Sequence, residues 1–283
     1  MLKNSLQSMN ELAREKTKLV NDHLPSYLLL AVLAGAYVGL GVILALSVGG
    51  PLASASLPVV SLVMGLSFAV ALLLVALLLV VFAGAELFTG NHMVYTVSTL
   101  SGVTTWKDTF KNWTWCFIGN AIGAFGLCLL ITGTGLFKGI EPNHLLMTLA
   151  AKKMNLPVSE LFFRGILCNW LVCLAIWTAS RTKSDAAKIM LIFWMLFAFV
   201  ASGYEHSVAN MTFLGLALLL PHPDTISAAG LLHNLIPVTL GNIVGGGLFV
   251  GSIYWFVNAR KLKEVKKQPA ALSADLDSVK LSK

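Results

Sequence analysis

Six stretches of the chain, at about 27–48, 57–83, 113–136, 161–180, 189–220 and 231–257, are apolar for about the 20 residues a helix needs to cross a bilayer. Only 12% of the 283 residues are charged, against roughly a quarter in an average globular chain. In lipid every backbone polar group must be satisfied internally, which leaves the helix as the form for runs of this kind. The expected fold is a single all-α integral membrane unit of six transmembrane helices with brief loops. The fifth run is too long for one plain span and carries Glu205 and His206 in its middle.

The flanks differ in character. Residues 1–26 hold Lys3, Glu11, Arg14, Glu15, Lys16, Lys18 and Asp22 with no apolar run, which does not fit a secretory signal peptide. Leu2, Leu6, Met9, Leu12 and Ala13 recur at helical spacing, so this segment reads as an amphipathic N-terminal helix on the cytoplasmic surface. The membrane domain then spans 27–258, and residues 259–283 read as a basic, disordered cytoplasmic tail. With both termini cytoplasmic, all Lys and Arg except Lys138, Lys152, Lys153 and Arg164 fall inside. That asymmetry accounts for the net charge of +7 without a nucleic-acid partner.

Cys116, Cys128, Cys168 and Cys173 all lie in apolar runs, with neither a disulfide framework nor metal spacing. No Walker loop, HExxH or GxSxG is present, and nothing in the sequence implies a cofactor or a metal. The glycine pairs Gly35/Gly39, Gly119/Gly123 and Gly241/Gly245 predict close helix packing.

The chain repeats itself. Gly84, Glu86, a hydroxyl residue and Asn91 return, 119 residues later, as Gly203, Glu205, a hydroxyl residue and Asn210. Gly119, Asn120 and Gly123 return 122 residues later as Gly241, Asn242 and Gly245. Two halves of three spans each must lie in opposite orientation, the 3+3 inverted-repeat pattern of transport folds. Such folds interrupt paired helices near the bilayer midplane, here at 84–90 in the second span and 203–207 in the fifth.

Glu86 and Glu205 are the acidic residues within the spans, where an ionisable group costs at least about 2.5 kcal/mol. For an anion path the structural role is favoured: each carboxylate is expected to satisfy free backbone N–H groups at its break. His206 lies at a break, beside few other polar groups, and histidine is the side chain suited to exchange protons near neutral pH. Thr89, at the equivalent break, has a hydroxyl that serves equally well for an anion, a His nitrogen or its own helix.

These motifs carry a resemblance. The segments Glu86–Gly90, Asn169–Ala175 and Ala201–Met211, with flanking pieces from Ala34 to Gly247, are similar to the formate/nitrite transporters over nearly the whole chain. The resemblance implies an aquaporin-like homopentamer in a bacterial inner membrane, with one pore per protomer. It implies that His206 is the central histidine and Thr89 its facing threonine. It places the constrictions at Leu77, Leu87, Phe88 and Phe199, a pore-lining asparagine at Asn242 and a vestibule lysine at Lys153.

Within that family, 161–170, 201–212 and 86–91 look most like the nitrite branch, whereas Ile236–Thr239 looks more like formate channels. The substrate is accordingly a small monovalent anion of a weak acid: nitrite first, formate second, hydrosulfide third. Two readings from other classes rank below it. One is a membrane enzyme using Glu205 and His206 as an acid/base pair. The other is a structural or sensory protein in which the motifs only pack.

Overall fold

The structure, a computed structural model, describes residues 2–55, 57, 59–72 and 85–258. The described residues form helices throughout, as the apolar runs require. In chain order these are α1 (Leu2–Asp22), α2 (Leu24–Ser54), α3 (Val60–Leu72), α4 (Phe88–Leu100), α5 (Trp106–Thr134) and α6 (Leu145–Asn155). Then follow α7 (Val158–Ala179), α8 (Asp185–Ala201), α9 (Ser207–Leu219) and α10 (Ala228–Ile243), with a π-helical segment at Val244–Ser252.

Four stretches are long and apolar enough to cross a membrane: α2, α5, α7 and Ala228–Asn258. The run near 189–220 behaves differently. Its helices α8 and α9 have 17 and 13 residues, each short of a full crossing. Residues 202–206 separate α8 from α9, and α4 begins at Phe88 after the non-helical residues 85–87. The short α6, with Lys152 and Lys153 in its last turn, has no counterpart among the expected spans.

The stop after α8 has a definite cause. Gly203 adopts φ +71°, a left-handed conformation open to glycine without strain. Its N–H donates to Val200 O and that of Tyr204 to Phe199 O, both at 3.0 Å, satisfying the last carbonyls of α8. Helix starts are fixed just as locally. Thr105 and Asp108 form a reciprocal capping box on α5, and the hydroxyls of Ser184 and Ser227 cap α8 and α10.

Helices α2 and α5 pack along each other, as do α7 and α10. A Cβ at Gly35 would strike the Asn120 carbonyl, and one at Gly123 the Val32 carbonyl. In the other pair, Gly241 and Gly245 meet the carbonyls of Phe162 and Ile166 in the same way. Only glycine lets backbones approach so far. The outer faces carry large exposed apolar side chains such as Leu29, Leu129, Leu130 and Phe163, as a lipid-facing surface requires.

Helix α1 spends its apolar stripe on the protein itself. Leu6, Met9, Ala13 and Val20 are buried, mainly where α1 lies on α4, while Leu12 points outward at 36% exposure. Lys16 lies on the same buried stripe.

Candidate functional site

The stretches that lead into α4 and α9 are held by the same parts. In the first half, the Asn120 side chain accepts the Phe88 N–H at the start of α4 (3.0 Å) and donates to the carbonyls of Ala31 and Glu86 (2.8 Å each). In the second, Asn242 accepts the Ser207 N–H at the start of α9 (2.9 Å) and donates to the carbonyls of Gly165 (2.8 Å) and Glu205 (3.0 Å). The backbone N–H groups of Glu86 and Glu205 donate to Leu30 O and Arg164 O, both at 3.3 Å.

This corrects one expectation. The free N–H groups of Phe88 and Ser207 go to asparagines, and neither goes to a glutamate. An amide both accepts and donates, so one side chain can hold an N–H and two carbonyls, whereas a carboxylate only accepts.

The glutamates face cations and amides instead. Glu86 takes the Lys16 ammonium (2.6 Å) and the Asn91 amide (3.1 Å). Glu205 takes Lys153 (2.7 Å) and Asn210 (2.6 Å). Asn91 and Asn210 in turn donate to Asn112 and Asn234, at 3.0 and 2.8 Å. Lys153 lines a cavity as a vestibule lysine would, but its charge is neutralised at contact distance by Glu205.

Lys16 lies on the helix expected at the cytoplasmic surface, yet it is buried. Its side chain is only 10% exposed and completes the first-half cluster, and the adjacent Thr17 hydroxyl lies 3.0 Å from Tyr95 OH. A buried charge that loses its partner typically destabilises by about 3–5 kcal/mol. Lys16→Met is therefore expected to lower stability by that order in detergent unfolding, and Lys16→Met with Glu86→Gln to recover most of it.

Between the halves lies the central contact. His206 is the N-cap of α9: its Nδ1 accepts the Ala209 N–H at 3.2 Å. A backbone N–H can only donate, so the hydrogen of the neutral ring is on Nε2, 3.1 Å from the Thr89 hydroxyl. The ring stacks on Phe199 (5.8 Å between centroids, 24°), and Phe199 meets Phe68 edge-on.

Two cavities flank this contact. One, of about 240 Å³, is lined by Lys153, Phe199, Tyr204, Glu205, His206 and Asn210 among others. The other, of about 380 Å³, is lined by Lys16, Glu86, Leu87, Gly90, Asn91 and Ile176 among others. His206 borders the first, and Leu87 and Gly90, on either side of Thr89, border the second. The Thr89–His206 pair therefore bridges the wall between them.

Of the residues expected at constrictions, Leu87 and Phe199 border the cavities. Phe88 packs against His92 and Phe117 and lines neither, and Asn242 is fully buried and lines neither. Leu77 and Gly84 lie outside the described residues. Glu205 and His206 share no hydrogen bond among those described, and each is held by separate partners, which gives no support to an acid/base pair. All four cysteines are buried and unpaired.

Sequence reasoning missed Lys16, Asn112, Asn234 and Asn169. Asn112 and Asn234 are 122 residues apart, the offset already seen for Asn120 and Asn242, so the repeat itself held the signal.

Apolar helices with a cavity on either side of a buried hydroxyl–imidazole contact fit a membrane channel or transporter. Residues 3–256 match the family described as Formate/nitrite transporter, and the chain belongs to that family. The nitrite transporter NirC of Salmonella typhimurium is 42% identical over 231 residues, covering 81% of this chain and 82% of that protein. A solved FNT family ion channel matches with TM-score 0.83 at 38% identity, over 90% of this chain and 99% of that one. A pentameric formate channel with formate bound matches with TM-score 0.68 at 31% identity, over 83% of this chain and 97% of that one.

Proposed function

We propose that this chain is a channel for small monovalent anions of weak acids, nitrite foremost, and that each protomer of a homopentamer carries its own path. The membrane unit is a 3+3 inverted repeat with interrupted second and fifth crossings and both termini cytoplasmic. The duplicated hydrogen bonding around Asn120 and Asn242 supports the repeat. The observation that carries the function is the Thr89–His206 contact between two cavities.

An anion entering either cavity meets a lysine–glutamate pair and then an apolar passage at Leu87 and Phe199. A bare charge is costly there unless it is paired or protonated. His206, directly or through Thr89, lends a proton, so the neutral acid crosses and returns the proton on leaving. The ring must then hold its second proton at Nδ1, in place of the Ala209 N–H. In the competing version the cap stays intact, and Nε2–H with the Thr89 hydroxyl only polarises an anion that passes charged.

Nitrite is favoured by the likeness to NirC, which is called a nitrite transporter. Formate is second, since the pentameric channel solved with formate is also similar. Hydrosulfide is third. Initial fluxes of the three into proteoliposomes, at equal gradients and one mildly acidic pH, decide the order. Nitrite leading supports the assignment, and formate or hydrosulfide leading overturns it while leaving the channel in place.

A further inference from the structure

We infer that His92 is a positioning residue that sets the Thr89–His206 contact through the Asn169 amide, an inference that rests on the channel function proposed above. His92 is on α4 one turn after Thr89, fully buried, and borders neither cavity. The Phe88 and Trp113 rings stand edge-on to it at 4.3 and 4.9 Å between centroids, and Gly246 packs against its Cβ.

Asn169 Nδ2 reaches three acceptors: Thr89 O at 3.1 Å, Asn242 O at 2.7 Å and His92 Nδ1 at 3.0 Å. The two carbonyls cannot donate, so the amide nitrogen has to face them and His92 Nδ1 has to accept. The ring hydrogen is then on Nε2, which has no hydrogen-bond partner among the described residues.

Two amide hydrogens thus serve three acceptors. The share taken by His92 leaves less of the amide for the carbonyls of Asn242 and of Thr89, the latter also reached by the Cys173 thiol at 3.4 Å. Thr89 presents its hydroxyl to His206, and Asn242 holds the Glu205 carbonyl and the Ser207 N–H on either side of His206. One amide therefore ties both ends of the central contact, and His92 decides how tightly. The orphaned Nε2–H opposes stability, and the aromatic surroundings would accept a phenyl ring as readily. A group kept against stability in this way belongs with function.

The test compares wild type, His92→Phe and His92→Asn in proteoliposomes and in detergent unfolding. His92→Phe keeps a ring and removes the acceptor. Its maximal nitrite flux per folded oligomer is expected to fall about fivefold or more, as for one lost buried hydrogen bond. Half-saturation should change little, and the unfolding midpoint should not drop. His92→Asn, whose Oδ1 takes the place of Nδ1, should restore at least half of the flux.

Wild-type flux through His92→Phe overturns the inference. So does a variant whose loss of flux follows a lower unfolding midpoint and is not relieved in His92→Asn. Wild type that passes no nitrite, formate or hydrosulfide removes the channel function itself, and the inference with it.

Discussion

Asn242→Leu is expected to abolish folded protein. The substitution keeps volume but deletes three hydrogen bonds, leaving the Ser207 N–H and the carbonyls of Gly165 and Glu205 without their partner in a site fully closed to solvent. Each buried backbone group left unsatisfied costs about 1–3 kcal/mol. Three together rival the roughly 5–15 kcal/mol by which folded proteins are stable at all. Asn120→Leu should behave alike, because Asn120 holds Phe88 N and the carbonyls of Ala31 and Glu86. Size-exclusion profiles and unfolding midpoints check both variants. An Asn242→Leu protein as stable as wild type would show that the break needs no such clamp.

His206→Phe is expected to fold and to conduct poorly, without wild-type pH dependence. A phenyl ring can keep the stack on Phe199 but loses the cap on Ala209 N and the contact with Thr89. The lost cap costs about 1 kcal/mol, which a folded protein tolerates. The lost donor matters more for transport. Hydrogen bonds to charged groups contribute about 1.5–3 kcal/mol, so nitrite flux should fall at least about tenfold. The ratio of flux at mildly acidic pH to flux at neutral pH should approach that of empty liposomes. If the variant keeps the wild-type ratio, the proton loan is wrong and the anion passes charged.

Much of this arrangement was legible before any coordinates. Apolar runs announce helices in lipid, because the bilayer offers the backbone no other partner. The pair Glu86/Glu205 points to interruptions at 84–90 and 203–207, because polar groups at that depth need a reason. What sequence could not show is which polar group answers which. Glu86 finds Lys16, 70 residues away on a helix that reads as surface.

The match between the first and fourth runs escaped the sequence reading, because the spacing from Ala31 to Glu86 and from Gly165 to Glu205 differs. The carbonyls of Leu30 and Ala31 correspond to those of Arg164 and Gly165, 134 residues on, against 119 and 122 for the later motifs. The short helix α6 escaped notice because a hydropathy pattern tuned to full spans passes over 11 residues. His92 gave no signal at all, since a histidine in an apolar helix reads as packing until its neighbours are known.

Nitrite entry into proteoliposomes, driven by a concentration gradient with no other energy source, tests the central claim most directly. The proposed path between the two cavities past Thr89 and His206 predicts rapid uptake well above that of empty liposomes, at a rate proportional to the amount of folded protein. Intact, monodisperse protein that moves neither nitrite, formate nor hydrosulfide above the empty-liposome rate would contradict it.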